Sequence, residues 1–265
     1  MSARPLKHPS RKKHRPIAVF DLDGTLVREQ LLVLLAKECF DLQIFRRVAE
    51  VVFKRIRLQH RDRKITFEDY DRRIIDIFVE RVKGKLRSDV QMAAEAVFDK
   101  HRDWLYRFTK ALTEEVAETH QRITITGAMQ ETVQLLAPYW GMEHWYATEL
   151  EVDGSGRYTG QTVALPVRDK RTALMTHIRE HGGSLKGSVA IGDTLSDVPM
   201  LGIVERPIVF NPDDKLATIA EERRWPVVVE RKGSIFVIRG TACRRFSAKN
   251  EDDTRRAVRH VLALR

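Results

Sequence analysis

The 265-residue sequence has little cysteine and no long apolar run. Its two cysteines, Cys39 and Cys243, cannot build a disulfide framework, which favours a reducing, cytoplasmic setting. The apolar stretch from Leu31 to Phe40 is interrupted by Lys37 and Glu38, so no membrane span is expected. The basic N-terminus lacks the apolar core of a signal peptide. Together these absences predict a soluble protein.

The sequence also lacks a recognisable nucleotide-binding loop. No Walker-type glycine loop is present, and the glycines between Glu151 and Gly160 have the spacing G-x-G-x-x-x-G rather than G-x-G-x-x-G. Clustered glycines after an apolar run are typical of a β-hairpin turn. We therefore predict a small hairpin that projects from a sheet at this point.

Basic charge is concentrated at the two ends of the chain, whose net charge is +10. Residues 1–16 contain six Lys or Arg and no acid, and residues 231–265 contain ten against three acids. Because the remainder is slightly acidic, stable nucleic-acid binding is not predicted. We interpret residues 1–15 as a basic disordered tail and residues 241–265 as a basic tail or short amphipathic helix. A tail that binds polyanions is the alternative.

Apolar runs bounded by turn residues predict a parallel sheet. The first run, Pro16–Phe20, leads into Asp-Leu-Asp-Gly, which is typical of a buried strand that enters a turn. Helical patterns separate several of the later runs, and this alternation indicates an α/β fold with a doubly wound parallel sheet. The later predicted strands are Ile123–Thr126, Tyr146–Val152, Ser188–Ile191, Pro207–Phe210 and Val227–Val229.

Residues 29–119 interrupt this alternation with helical periodicity alone. Ile74, Ile77, Phe78 and Val82 recur at helical spacing, and Gly84 is the only glycine in the block. We predict an all-helical insertion here, within a core formed by residues 16–28 and 120–240.

Two aspartates follow the first predicted strand, one residue apart. In Asp21-Leu-Asp23-Gly-Thr, both carboxylates are expected at the carboxyl end of a parallel sheet, where such folds bind ligands. Asp21 is predicted to be a nucleophile that forms an aspartyl-phosphate. Asp23 is predicted to protonate the departing alkoxide and then to deprotonate water. The alternative is a turn with a capping residue.

Thr126 and Gly127 end a predicted strand ahead of a predicted helix. The Thr126 hydroxyl and the N–H groups of the helix start are predicted to hold a phosphate oxygen; an ordinary helix cap is the alternative. Lys170 precedes a later amphipathic helix, where its ammonium could neutralise both phosphate and nucleophile. A solvated surface lysine is the alternative there.

Two further aspartates follow the strand Ser188–Ile191, in Gly192-Asp193-Thr-Leu-Ser-Asp197. Their spacing of four predicts that both carboxylates lie on one helix face. Carboxylate oxygens suit Mg²⁺, whereas a capped helix with surface acids is the alternative. Several carboxylates would repel a phosphate dianion unless a divalent cation and Lys170 offset their charge. Mg²⁺ is therefore the predicted cofactor.

The four segments resemble, in order, the motifs of the haloacid dehalogenase superfamily, and the resemblance covers roughly residues 16–230. The first is similar to its D-x-D-x-T signature, whose first aspartate is the nucleophile. The long helical insertion resembles the phosphoserine-phosphatase-like branch, and implies a cap over a Rossmann-like core. The resemblance implies Lys170 rather than Arg168 or Arg171 as the active lysine, Asp21, Asp193 and the Asp23 carbonyl as Mg²⁺ ligands, and Asp197 as a ligand or an orienter.

The same resemblance implies a small phosphorylated metabolite as substrate. Phosphoserine phosphatases place a glutamate nine residues after the nucleophile to hold the substrate amine. Here that position is Gln30, with Glu29 one residue away, and these two are the candidate substrate-binding residues. The predicted function is Mg²⁺-dependent hydrolysis of a small phosphomonoester through Asp21. A phosphotransferase with the same intermediate and a non-catalytic binding protein of this fold are the alternatives; the sequence does not predict an oligomeric state.

Overall fold

The computed structural model describes residues 15–264, apart from the side chains of residues 67 and 68. The basic tail predicted at residues 1–15 therefore lies outside the described residues, except for Arg15. The Arg15 guanidinium pairs with Glu143.

A single sheet forms the centre of this part of the chain. Its strands are β1 Pro16–Phe20, β2 Gln121–Met129, β3 His144–Val152, β4 Tyr158–Ala164, β5 Ser184–Gly192, β6 Arg206–Phe210, β7 Val227–Arg231, β8 Ser234–Arg239 and β9 Ala242–Ser247. They lie in the order β4-β3-β2-β1-β5-β6-β7-β8-β9. The six neighbouring strands β3, β2, β1, β5, β6 and β7 are parallel to one another. Strand β4 pairs antiparallel with β3 at one edge, and β8 and β9 add antiparallel pairs at the other.

Helices connect most of these strands, and five of them lie between β1 and β2. They are α1 Leu31–Asp41, α2 Val48–Arg61, α3 Phe67–Val82, α4 Arg87–His101, α5 Arg107–Glu115, α6 Gln130–Tyr139, α7 Lys170–His181, α8 Val198–Leu201, α9 Asp214–Glu222 and α10 Glu251–Ala263. None of the helices described is both long and apolar enough to cross a bilayer.

Both faces of the sheet are covered, as the side chains of β1 show. Successive residues of a strand point to opposite faces. Ala18 and Phe20 join the larger apolar cluster, which includes residues of α1, α4, α6 and α10, whereas Ile17 and Val19 join a second cluster with α7, α8 and α9. A strand buried on both faces must be apolar throughout. The predicted doubly wound α/β fold with an inserted helical segment is therefore confirmed.

The segment between β3 and β4 forms the predicted hairpin. Its strands are antiparallel, and the Asp153 carboxylate accepts hydrogen bonds from the backbone N–H groups of Ser155 and Arg157 across the turn. Arg157 in turn donates to the carbonyl of Gly84, in the loop between α3 and α4. The hairpin therefore contacts the helical insertion.

The sheet continues beyond residue 240, the predicted end of the core. In the segment 241–265, strand β9 pairs with β8, and α10 buries Ala257, Val258 and Val261. Arg255 and Arg259 of α10 form ion pairs with acids of α5. Part of the basic charge at this end of the chain therefore joins the last helix to α5.

Candidate active site

Asp21 and Asp23 lie at the carboxyl end of β1, at the centre of the sheet. The Asp21 N–H donates to the Ile191 carbonyl of β5 at 3.0 Å, so the main chain is fixed where the carboxylate begins. One carboxylate oxygen of Asp23 accepts the N–H of Leu31, the first residue of α1, at 2.9 Å. The second aspartate is thereby attached to the start of the helical insertion.

Lys170 lies beside Asp21, with its side chain only 1% exposed. Its ammonium donates to Asp21 at 2.5 Å and to Asp197 at 2.6 Å. Lys170 is the first residue of α7, whose N-terminus is capped by the Asp169 carboxylate accepting from Thr172. Arg168 and Arg171 are exposed, so of the three neighbouring cations only Lys170 enters the site.

Asp193 and Asp197 approach the same point from the end of β5. Asp193 accepts a hydrogen bond from the Thr25 hydroxyl at 2.9 Å. Oxygen atoms from Asp21, Asp193 and Asp197 all lie within 4.8 Å of one another. The structure thus brings together four of the predicted residues, Asp21, Lys170, Asp193 and Asp197, from three parts of the chain.

The prediction that Asp193 and Asp197 share a helix face is wrong. Asp193 follows the strand, and Asp197 ends a short 3-10 turn, Leu195–Asp197. Asp197 folds back instead: one oxygen accepts the N–H groups of Asp193 and Thr194 at 3.0 Å, and the other binds Lys170. Because both oxygens already have protein partners, Asp197 holds the lysine and the Asp193 main chain in position.

The strand does not end at Thr126 and Gly127 with a helix start beside them, contrary to the prediction. Strand β2 continues to Met129 past a register irregularity, and α6 begins only at Gln130. Thr126 is fully buried and its hydroxyl oxygen accepts the N–H of Ala128 at 3.1 Å. Gly127 lines the cavity beside Asp21 and Lys170. The backbone at the predicted phosphate-binding position is therefore an irregular strand and not a helix N-terminus.

Gly24 allows the acidic residues to approach closely. It has a φ of +80°, and a Cβ atom there would lie 2.1 Å from an oxygen of Asp193. Any side chain would therefore both strain the backbone and displace the Asp193 carboxylate.

Burial dominates the electrostatics of the site. It raises the pKa of Asp21 to about 6 against the opposing effect of Lys170. Burial, with the neighbouring Asp21, raises the pKa of Asp23 to about 8, and burial with Asp21 and Asp197 raises the pKa of Asp193. Although burial opposes it, the two bound carboxylates raise the pKa of Lys170. The Lys170 ammonium is thus the one cation beside the carboxyl groups of Asp21, Asp23, Asp193 and Asp197 among the residues named here. This excess of carboxylate oxygens suits Mg²⁺, which prefers oxygen ligands.

The helical insertion supplies one wall of the cavity. Leu32 of α1 and Asp71 and Ile74 of α3 line it opposite Asp21. Gln30, also in this wall, donates its amide to Asp71 at 3.4 Å, and its carbonyl oxygen is buried without a hydrogen-bond partner among the described residues. Glu29 lies in an adjoining opening, which Asp23 and Asp193 also line, and its carboxylate is 4.0 Å from Arg57.

Asp71 was missed by sequence reasoning, and no sequence signal marks it. It belongs to an ordinary amphipathic helix, 50 residues after Asp21. Only the packing of α3 against α1 brings its carboxylate to the cavity. Of the two substrate-binding candidates from the sequence, Gln30 lines the cavity beside Asp21 and Lys170, whereas Glu29 lines the adjoining opening.

Comparison with known proteins identifies a hydrolase family and relatives that are named phosphatases. The model of the haloacid dehalogenase-like hydrolase family matches residues 18–202. A phosphoserine phosphatase from Streptococcus thermophilus is 30% identical over 201 residues, which cover 73% of this chain and 83% of the relative. A histidinol-phosphatase from Neisseria meningitidis is 24% identical over 176 residues, covering 61% of this chain and 79% of the relative.

The fold is also similar to that of solved phosphatases. A phosphoserine phosphatase solved as an analogue of its phospho-aspartyl intermediate superposes with a TM-score of 0.55 at 19% identity, covering 83% of this chain and 95% of that one. The predicted resemblance, including that to the phosphoserine-phosphatase-like branch, is confirmed. This chain belongs to the haloacid dehalogenase-like hydrolase family.

Proposed function

We propose that the protein is a Mg²⁺-dependent phosphatase that hydrolyses a small phosphomonoester through an aspartyl-phosphate on Asp21. The observation that carries this proposal is the contact between the buried Lys170 ammonium and the Asp21 carboxylate, at the carboxyl end of the central strand. A nucleophilic carboxylate needs a fixed cation beside it to accept a dianionic phosphate.

In the proposed reaction, an Asp21 oxygen attacks phosphorus and the bond to the leaving alkoxide breaks. Asp23 gives its proton to that alkoxide. Asp23 then takes a proton from water, whose oxygen attacks phosphorus and displaces the Asp21 carboxylate, which releases inorganic phosphate. The hydrogen bond from Leu31 to Asp23 orients this second aspartate during both steps.

Two groups of residues support the phosphoryl group. Asp21, Asp193 and the Asp23 carbonyl are the proposed Mg²⁺ ligands, with Asp197 orienting Lys170 and the Asp193 main chain. When bound, the cation offsets the negative charge of phosphate and carboxylates. Gly127 and Thr126 belong to the proposed phosphate-binding wall, together with Lys170.

We further propose that the residues 29–119 form a cap over the core and select the leaving group. The unpartnered carbonyl oxygen of Gln30 and the Asp71 carboxylate are neighbouring acceptors in the cavity. An ammonium group supplies three donors, and among the described residues only the Gln30 amide donates to Asp71. The proposed substrate is therefore a small phosphomonoester that carries an amine.

The names of two relatives are consistent with this substrate class. One is named for phosphoserine and the other for histidinol phosphate, and both compounds carry an amine. In phosphoserine phosphatases a glutamate holds that amine, whereas the proposed site uses Asp71 and Gln30. The negative charge would then come from the cap helix α3 rather than from the start of α1.

Turnover of a panel of phosphomonoesters by the purified protein tests the reaction. We expect inorganic phosphate to be released with Mg²⁺ present, and this release to be abolished by chelation or by Asp21→Asn. Assays with added glycerol distinguish hydrolysis from transfer, because a phosphotransferase would form phosphoglycerol at the expense of free phosphate. Absence of turnover across the panel would favour a non-catalytic binding protein.

A further inference from the structure

A cluster of three histidines lies at the edge of the sheet opposite the candidate active site. His177 and His181 are on α7, one turn apart, and His144 is the first residue of β3. The His144 ring lies 4.9 Å from that of His177 and 4.4 Å from that of His181, and the latter two rings are 5.1 Å apart, measured between centroids. One nitrogen from each residue lies within 4.8 Å of the other two.

The cluster is distant from the carboxylates of the active site. Lys170 and His181 are the first and last residues of α7, which places them roughly 16 Å apart along the helix axis at 1.5 Å per residue. The amino ends of β2 and β3 lie beside the histidines, whereas Asp21 follows the carboxyl end of β1. The two groups of residues therefore cannot share one ion.

The surroundings of His177 and His144 favour neutral imidazoles, the form that binds a cation. Burial, with the other two histidines, lowers the pKa of His177 to about 4, and burial also lowers the pKa of His144. A neutral imidazole keeps a lone pair on one nitrogen, which is the form that binds metals. Three rings facing one another would repel if protonated, and a shared cation replaces that repulsion by attraction.

Neighbouring residues hold His177 in the manner of an oriented ligand. The Nε2 atom of His177 lies 3.2 Å from the side-chain amide oxygen of Gln121. Because an amide oxygen can only accept a hydrogen bond, Nε2 carries the proton. Nδ1 then carries the lone pair, which accepts from the Tyr146 hydroxyl at 2.9 Å. A carbonyl bound to the outer nitrogen of a metal-bound histidine fixes its tautomer and ring orientation. A cation bound at Nδ1 would take the place of the Tyr146 hydrogen bond and leave that to Gln121 intact.

We propose that His144, His177 and His181 form a binding site for a borderline transition cation such as Zn²⁺, which joins α7 to β3. Two histidines at i and i+4 on one helix face are a known pair of zinc ligands. Zinc–nitrogen bonds of about 2.0–2.1 Å set the nitrogens of a tetrahedral site roughly 3.4 Å apart. Since the present separations are at most 4.8 Å, the nitrogens must approach one another by up to roughly 1.5 Å. His181 is exposed and His144 half-buried, which leaves both free to rotate around the fixed His177.

Calorimetric titration of the full chain with Zn²⁺ tests the site. Excess Mg²⁺ is included so that the carboxylates of the active site do not contribute. We expect one saturable site in the wild type, at least about tenfold weaker in His144→Ala and His181→Ala. Gln121→Ala is expected to weaken it by about 10–100-fold, and His101→Ala, which alters a histidine of α4 outside the cluster, is the control.

A spectroscopic readout keeps the test independent of folding and of turnover. Cu²⁺ bound to the wild type should show electron paramagnetic resonance couplings to imidazole nitrogens, and His181→Ala should show fewer. Each variant is compared with the wild type by circular dichroism and by phosphate release. Absence of a saturable site, oxygen-only coordination, or equal affinity in wild type and His181→Ala would overturn the proposal.

Discussion

The ammonium of Lys170 lies 2.5 Å from a carboxylate oxygen of Asp21, although 149 positions separate the two residues in the chain. A second carboxylate, that of Asp197, binds the same ammonium. Three parts of the fold therefore meet at the Lys170 ammonium: the end of β1, the start of α7 and the turn after β5. Stability and chemistry are both expected to depend on it.

Replacement of Lys170 tests this dependence. Lys170→Met leaves the buried Asp21 and Asp197 carboxylates without their cation, and removing one partner of a buried ion pair costs about 3–5 kcal/mol. We expect the free energy of unfolding in urea, measured without divalent cations, to fall by that amount, and phosphate release to be lost. Lys186→Met, at an exposed lysine, should change neither. An unaltered unfolding curve for Lys170→Met would contradict the prediction.

Replacement of Asp71 tests the proposed amine site. A hydrogen bond to a charged group contributes about 1.5–3 kcal/mol, so Asp71→Asn should lower kcat/KM about 10- to 100-fold for amine-bearing phosphomonoesters, chiefly through KM. Turnover of p-nitrophenyl phosphate, which has no amine, should be nearly unchanged. Glu80→Gln alters an exposed acid of the same helix and serves as the control. Equal losses on both substrates would rule out a selective role.

Replacement of Gly24 tests the packing of the active-site aspartates without altering any charged group. In Gly24→Ala, the new methyl group would meet Asp193 at 2.1 Å and the backbone would keep a φ of +80°. A displacement of about 1 Å can cost about 100-fold in rate, so we expect a loss of that order together with a raised Mg²⁺ requirement. Gly154→Ala, where no atom lies within 4 Å of the new Cβ, should behave as wild type. Full activity of Gly24→Ala would show that Asp193 can move without consequence.

Glu230 is expected to connect the sheet to the helical insertion. Its carboxylate accepts the N–H groups of Arg107 and Phe108 at the start of α5 and pairs with Arg28. Glu230→Ala leaves buried N–H donors unsatisfied, at a cost of about 1–3 kcal/mol. Chemical denaturation should record that loss, whereas Glu222→Ala at an exposed position should not. A stability change below about 0.5 kcal/mol for Glu230→Ala would contradict this role.

Features that depend on neighbours in the sequence could be predicted. An apolar run such as Pro16–Phe20 specifies a buried strand, because a strand covered on both faces has no polar side. Asp21 and Asp23 follow that strand directly, and Asp193 directly follows β5, so their place at one edge of the sheet is determined by the strand ends. The helical insertion and the hairpin after β3 also have local patterns.

Other features arise only when distant segments pack. The spacing of Asp193 and Asp197 suggested a helix face, but Asp197 finds better partners in two backbone N–H groups and Lys170, so the chain forms a tight turn. The phosphate wall near Thr126 was expected at a helix start, whereas pairing with β3 prolongs the strand. Neither the turn at Asp197 nor the longer strand past Thr126 has a recognisable pattern in the local sequence.

The sequence by itself determined the family, the order of the parallel strands along the chain, and the residue types for phosphoryl transfer. Tertiary structure alone decided that Asp71 lines the cavity beside Asp21 and that His144 meets His177 and His181. The physical reason is range: periodicity and turn chemistry act over a few residues, whereas a contact between separate elements depends on how each buries its apolar face against the others.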